Sequence, residues 1–99
     1  MAHFLTLYRF TGAIQGGGPE RYRKFKGIVE SEGGKIVFFG GLLGPYDVVT
    51  LTEYPSTRAA MKGAARIANL IAAQTLTMPV VDEGEFLSLL QEVSASSPL

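Results

Sequence analysis

Gly44-Pro45-Tyr46-Asp47-Val48-Val49 is a tight turn that runs directly into an apolar strand. Proline presets the backbone at the second turn position, and Asp47 offers a carboxylate to backbone N–H groups where the strand begins. Upstream, residues 35 to 43 read Lys-Ile-Val-Phe-Phe-Gly-Gly-Leu-Leu, rich in types that favour extended backbone, so the turn joins two strands in a hairpin. Gly40-Gly41 predicts a bulge, or a close approach by another backbone or a ligand. In the strand from 47 to 54, Val49 and Leu51 face one way and Val48, Thr50, Thr52 and Tyr54 the other.

Working outward, residues 3 to 10 form a strand with apolar groups on both faces. Leu5 and Leu7 point one way; Phe4, Thr6, Tyr8 and Phe10 point the other. One face is expected to meet helices and the second another sheet. Residues 11 to 18, with Gly16-Gly17-Gly18, read as a flexible connector, and Pro19 suits the first position of a helix running to about Glu32. Tyr22, Phe25, Ile28 and Val29 are its buried stripe, and Gly33-Gly34 ends it. Pro55 stops the third strand, and Ser56 caps a second helix to about Ala73, with Met61, Ile67, Leu70 and Ile71 as its apolar residues. Ala60, Gly63, Ala64 and Ala68 permit close packing on a sheet. Residues 74 to 81 alternate as a fourth strand.

This order predicts an α+β, ferredoxin-like βαββαβ domain over residues 1–99: an antiparallel sheet with both helices on one face. Asp82 and Glu85 make a capping-box pattern ahead of Phe86, Leu89, Leu90 and Val93, a short amphipathic C-terminal helix over 82–93. An isolated helix of that length is marginal in water, so its stripe must dock on this subunit or a neighbour. Residues 94–99 read as disordered.

The chain has 99 residues, 46% of them hydrophobic, a high share for so small a domain and an argument for a buried subunit interface. Nine basic residues balance nine acidic ones, which argues against nucleic acid or an anionic membrane as partner. Arg21, Arg23, Lys24 and Lys26 cluster early and Asp82, Glu83, Glu85 and Glu92 late, so the two regions are expected to attract one another. The basic line Arg58, Lys62, Arg66 reads as a solvated face paired with the acidic tail. Absence of cysteine removes disulfides, thiolate nucleophiles and thiolate metal sites. The start lacks a secretory pattern and no stretch has the length of a membrane span, so a cytoplasmic protein is the expectation.

His3 is the sole histidine, which excludes a histidine metal cluster within one subunit, and no metal or cofactor is expected. Tyr8, Arg9, Tyr46, Asp47, Glu53 and Tyr54 stand at strand positions or strand ends, where side chains converge on pockets. Their structural reading is a tyrosine ring at a sheet interface and, for Asp47, a turn residue. The triple glycine lacks the spacing of a phosphate loop, and the serines show no nucleophile pattern.

Glu20-Arg21, Phe25-Lys26, Glu32-Gly33-Gly34-Lys35, Leu43-Gly44-Pro45-Tyr46-Asp47-Val48-Val49, Glu53, Pro55 and Thr75 together resemble the GYD domain family, whose signature falls here on Gly44, Tyr46 and Asp47. The resemblance covers the chain to about residue 80. It implies a design similar to dimeric α/β-barrel proteins, in which two sheets pair face to face around a cavity, without an assigned reaction. The chain departs from the family's usual pattern at Gly40-Gly41, where a bulky aromatic is more typical, and in its acidic C-terminal extension. The same turn also resembles the effector domain of leucine-responsive regulators, here without a DNA-binding half. The expectation is therefore a homo-oligomer holding a small, partly apolar organic molecule between sheets, with or without cofactor-free turnover. His3, Tyr8, Arg9 and Tyr46 are the candidate catalytic groups, and Gly40, Gly41, Asp47 and Tyr54 candidate ligand contacts. The alternative is a non-catalytic effector-binding or assembly module, its interface filled by Phe4, Phe10 and Phe38.

Overall fold

The computed structural model describes residues 1–12 and 18–96. Gly16 and Gly17 of the expected connector, and the tail from residue 97, lie outside the described residues. The elements are β1 (Ala2–Phe10), α1 (Gly18–Ser31), β2 (Lys35–Gly41), β3 (Val48–Tyr54), α2 (Thr57–Ala68), β4 (Ala73–Val80) and α3 (Glu83–Ser96). The strands form one sheet in the order β2-β3-β1-β4, every neighbour antiparallel. With α1 and α2 on one face this is the ferredoxin-like arrangement.

Alternation along β1 decides what each face does. Phe4, Thr6 and Tyr8 are buried and pack with Tyr54 of β3 against Phe25 and Val29 of α1 and Ala60 and Ile67 of α2. Phe4, Phe25, Val29 and Ile67 are of the kind that contributes about 1.5–3 kcal/mol each when fully buried. Thr6, Thr50 and Thr52 are buried on the same face and keep their hydroxyls bonded: Thr6 to Thr77 at 3.0 Å, Thr50 to the Tyr8 hydroxyl at 3.4 Å, and Thr52 donating to the Phe4 carbonyl at 3.4 Å. Phe4 and Phe10 therefore belong to the helix-facing side, and of the three phenylalanines expected at an interface only Phe38 faces the other way.

The bulge lies earlier than Gly40-Gly41. Ile36 is opposite Thr52, but Phe38 is opposite Leu51, so the register shifts between Ile36 and Phe38. One extra residue reverses every later side chain. Phe39 consequently turns toward the helices, its ring 4.8 Å from that of Tyr22 and 5.8 Å from that of Phe25, while Phe38 emerges on the open face. Gly40 is regular strand, and the close approach it accommodates is the Phe38 ring: a Cβ there would lie 2.8 Å from Phe38 Cε2.

Caps and ties account for the helix limits. Ser56 Oγ accepts the Ala59 N–H at 3.1 Å at the start of α2. Gly63 sits where α2 crosses the Tyr54 ring; a Cβ would meet the Tyr54 hydroxyl at 2.6 Å, so only glycine permits this approach without a shift. Met61, expected in the apolar stripe, is 69% exposed. α2 stops at Ala68, and Ala73 already pairs with Phe10 in β4. Two residues of the basic line, Lys62 and Arg66, turn to the end of α1 and not to the acidic tail: Arg66 reaches Glu32 at 2.7 Å and Ser31 at 2.7 Å, and Lys62 reaches Glu32 at 3.7 Å.

α3 begins as its cap predicts, with Asp82 Oδ1 accepting the Glu85 N–H at 2.8 Å, and it continues through Ser96, so residues 94–96 are helical. All fourteen of its residues are exposed. Its projection stretches the molecule to 57 × 31 × 18 Å, with a radius of gyration of 16.1 Å against the ~13 Å usual for a compact chain of this size.

Candidate functional site

The hairpin turn is a structural joint. Gly44 has φ +146°, a backbone region that side chains other than hydrogen rarely adopt. Asp47 then ties the hairpin to β1 twice, its N–H donating to the Tyr8 carbonyl at 2.8 Å and its Oδ2 accepting the Phe10 N–H at 2.8 Å, and closes the hairpin itself by accepting the Leu42 N–H on its carbonyl at 2.8 Å. The carboxylate thus continues the sheet ladder past the last β1–β3 pair. Tyr46 is half-buried beside it in the turn, and Gly41 is exposed at the end of β2.

The expected site residues divide between two faces and two ends. His3 and Arg9 lie on the face without helices, among Leu5, Leu7, Val49, Leu51, Leu76 and Met78, which the register sets side by side. Tyr8 and Tyr54 lie on the opposite face, in the core. Burial pushes the Tyr54 phenol up to about 12, with the neighbouring Tyr8 and Glu32 adding to the shift, and burial likewise raises Tyr8 against the opposing hydrogen bonds of Thr50 and Thr6. Both hydroxyls are therefore neutral hydrogen-bonding groups at ordinary pH. Among the described residues no single cavity gathers His3, Tyr8, Arg9 and Tyr46.

Along β1 the open face is polar at its ends and apolar between. At one end His3 Nε2 stands 2.9 Å from Glu53 Oε1, the two side chains 35% and 27% exposed, with Lys35 paired opposite Glu53 in the register. At the other, roughly 20 Å away at ~3.4 Å per residue, Arg9 donates to Gln74 Oε1 at 3.1 Å. Between them Phe38 is 55% and Leu76 46% exposed, and among the described residues no element covers this face. The His3–Glu53 pair escaped sequence reasoning as a pair, because cross-strand partners fifty residues apart become visible only through the register.

On the helix side an open cavity of about 550 Å³ lies between the start of α1 and the sheet. Its walls are the rings of Tyr8, Phe10, Tyr22, Phe25 and Phe39 together with Val48, and Arg21 and Arg23 flank it. Sequence patterning did not reveal this cavity: Tyr22 and Phe25 read as a buried helix stripe, Tyr8 as a candidate catalytic group and Phe10 as an interface residue, and the gap depends on how far α1 stands from the sheet.

Comparison with known proteins adds the family and the fold. A homoserine dehydrogenase structure from Thiobacillus denitrificans matches at 18% identity with a TM-score of 0.59, covering 82% of this chain and 17% of that one. The chain thus spans about a sixth of that protein, and at this identity the likeness concerns the fold alone. No curated protein matches the chain at a significant level. The family model described as the GYD domain matches residues 4–90, which takes in β1 from Phe4 on, the other three strands, both sheet-packed helices and the Gly44-Tyr46-Asp47 turn, and the chain belongs to the GYD domain family.

Proposed function

We propose that the protein acts as a homo-oligomer whose subunits pair open sheet face to open sheet face and hold a small, partly apolar organic molecule between them. The observation that carries this reading is the uncovered apolar stretch from Phe38 through Leu51 and Leu5 to Met78 and Leu76. A continuous apolar sheet surface in water is costly, and burial against a like surface returns about 25 cal/mol per Å². Closure would leave His3 with Glu53 and Arg9 with Gln74 as the polar groups bordering the apolar middle. An imidazole held by a carboxylate suits proton transfer, and a guanidinium suits anchoring a charge.

The test is Leu51→Glu. Its side chain is half-exposed on the open face, so the change leaves the helix-side core intact and places a carboxylate at the centre of the pairing surface. Native mass spectrometry is expected to read a multimer for the parent protein and a monomer for the folded variant; a parent that is monomeric, or a variant with unchanged mass, contradicts the reading. The second reading, an assembly or effector module without turnover, draws on the exposed apolar stripe of α3, a surface suited to subunit contacts. Small molecules co-purifying with the multimer would favour the first reading over the second.

A further inference from the structure

We propose that the helix-side cavity is a second binding site, one that takes a small carboxylic acid with an aromatic body. The rings supply the first half of the argument. Phe39 packs edge-on to Tyr22 at 4.8 Å and against Phe25 at 5.8 Å, and Phe25 meets Tyr8 at 6.3 Å, yet Phe39 remains 44% exposed. An aromatic wall with an open face is completed by another ring, since offset and edge-to-face ring pairs add about 0.5–1.5 kcal/mol beyond the area they bury. The volume of about 550 Å³ falls within the range of small-ligand sites and accommodates one or two rings with a short side chain.

The flanking charges supply the other half. Arg21 and Arg23 stand one residue to either side of Tyr22, whose ring packs on Phe25 and Phe39, and both arginines are among the residues that line the cavity. Among the described lining residues there is no carboxylate. This pairing of apolar walls with cations selects an anion over a cation, and a guanidinium fork matches the two oxygens of a carboxylate. The family's signature turn is also built into the cavity. Asp47 holds the Phe10 backbone through its Oδ2, and Phe10 and Val48, the residue next to Asp47, are both wall residues. The turn that defines the family therefore sets the position of two wall side chains.

The cavity lies across the sheet from the proposed pairing surface, so the two proposals stand or fall separately. The experiment is an NMR titration of the full chain with benzoate, 3-phenylpropionate and indole-3-acetate at millimolar concentration, each compared with its neutral carboxamide. At least one acid is expected to shift the backbone amides of Tyr22, Phe39 and Val48 saturably and to bind at least about tenfold more tightly than its amide, the scale of a charge-assisted hydrogen bond. Arg23→Gln, at an exposed helix position, should reduce that acid-over-amide preference while leaving the shifts at the same residues. No saturable shift at Tyr22, Phe39 and Val48 with any of the three acids, equal affinity for acid and amide, or shifts confined to Leu5, Leu51 and Met78 on the open face would each overturn the proposal.

Discussion

At the residue scale Asp47 carries the most structure per atom. Its carboxylate is the partner of the Phe10 N–H, the last amide of β1, so Asp47→Ala orphans a part-buried donor and releases the hairpin from the strand beside it. The expected cost is about 1–3 kcal/mol in urea unfolding, with Asp47→Asn recovering part of it because the amide oxygen still accepts. Equal midpoints for the parent protein and Asp47→Ala would remove the carboxylate from the account of the turn. The turn role of Asp47 is legible in the sequence, where aspartate follows Gly-Pro-Tyr. That its partner is Phe10, thirty-seven residues earlier, is not.

Tyr54 makes a second prediction at this scale. The folded protein holds its phenol up to about 12 against an ordinary 10.0, so the fold favours the neutral ring. Its contribution is complete below pH 10 and is lost as pH rises from about 10 to about 12, where the unfolded chain ionises and the folded one resists. Stability measured across that window should fall, and Tyr54→Phe should flatten the part of the fall that belongs to this ring. A slope identical in the two proteins would contradict the burial argument.

At the element scale α3 is the part whose formation and docking separate most clearly. Its start follows from Asp82, and its Phe86, Leu89, Leu90 and Val93 recur at helical spacing, yet these side chains are 43–57% exposed. A fourteen-residue helix with no packed face is marginal by itself in water. The stripe is therefore expected to dock on a neighbouring subunit. Removal of residues 82–99 should lower the number of subunits read by sedimentation equilibrium while leaving the far-ultraviolet spectrum of the sheet and two helices; an unchanged number of subunits would place the helix outside the assembly. β2 shows the opposite relation. Its strand character is plain from Ile36 to Phe39, but the faces of Phe38 and Phe39 follow from a register shift at Val37 that alternation alone misplaces at the glycines.

At the scale of the whole molecule the sheet has one face closed by α1 and α2 and one face open. A pairing that buries the open face couples folding to association, and the thermal midpoint should then rise with protein concentration. A midpoint that stays constant over about a hundredfold range of concentration would speak for a subunit stable alone with its apolar face in water.

The sequence by itself determines the order of elements, their approximate limits, the helix caps at Ser56 and Asp82, the hairpin turn and the family, because each rests on local periodicity or on chemistry between residues a few positions apart. Only the tertiary structure decides which face each side chain occupies beyond the bulge, that His3 meets Glu53, that Glu32 gathers Lys62 and Arg66, and that a cavity opens under α1. These depend on strand register and on the distance between packed layers. Both are set by the sum of many contacts between residues remote in sequence, and a slip of one position in register reverses every side chain that follows it.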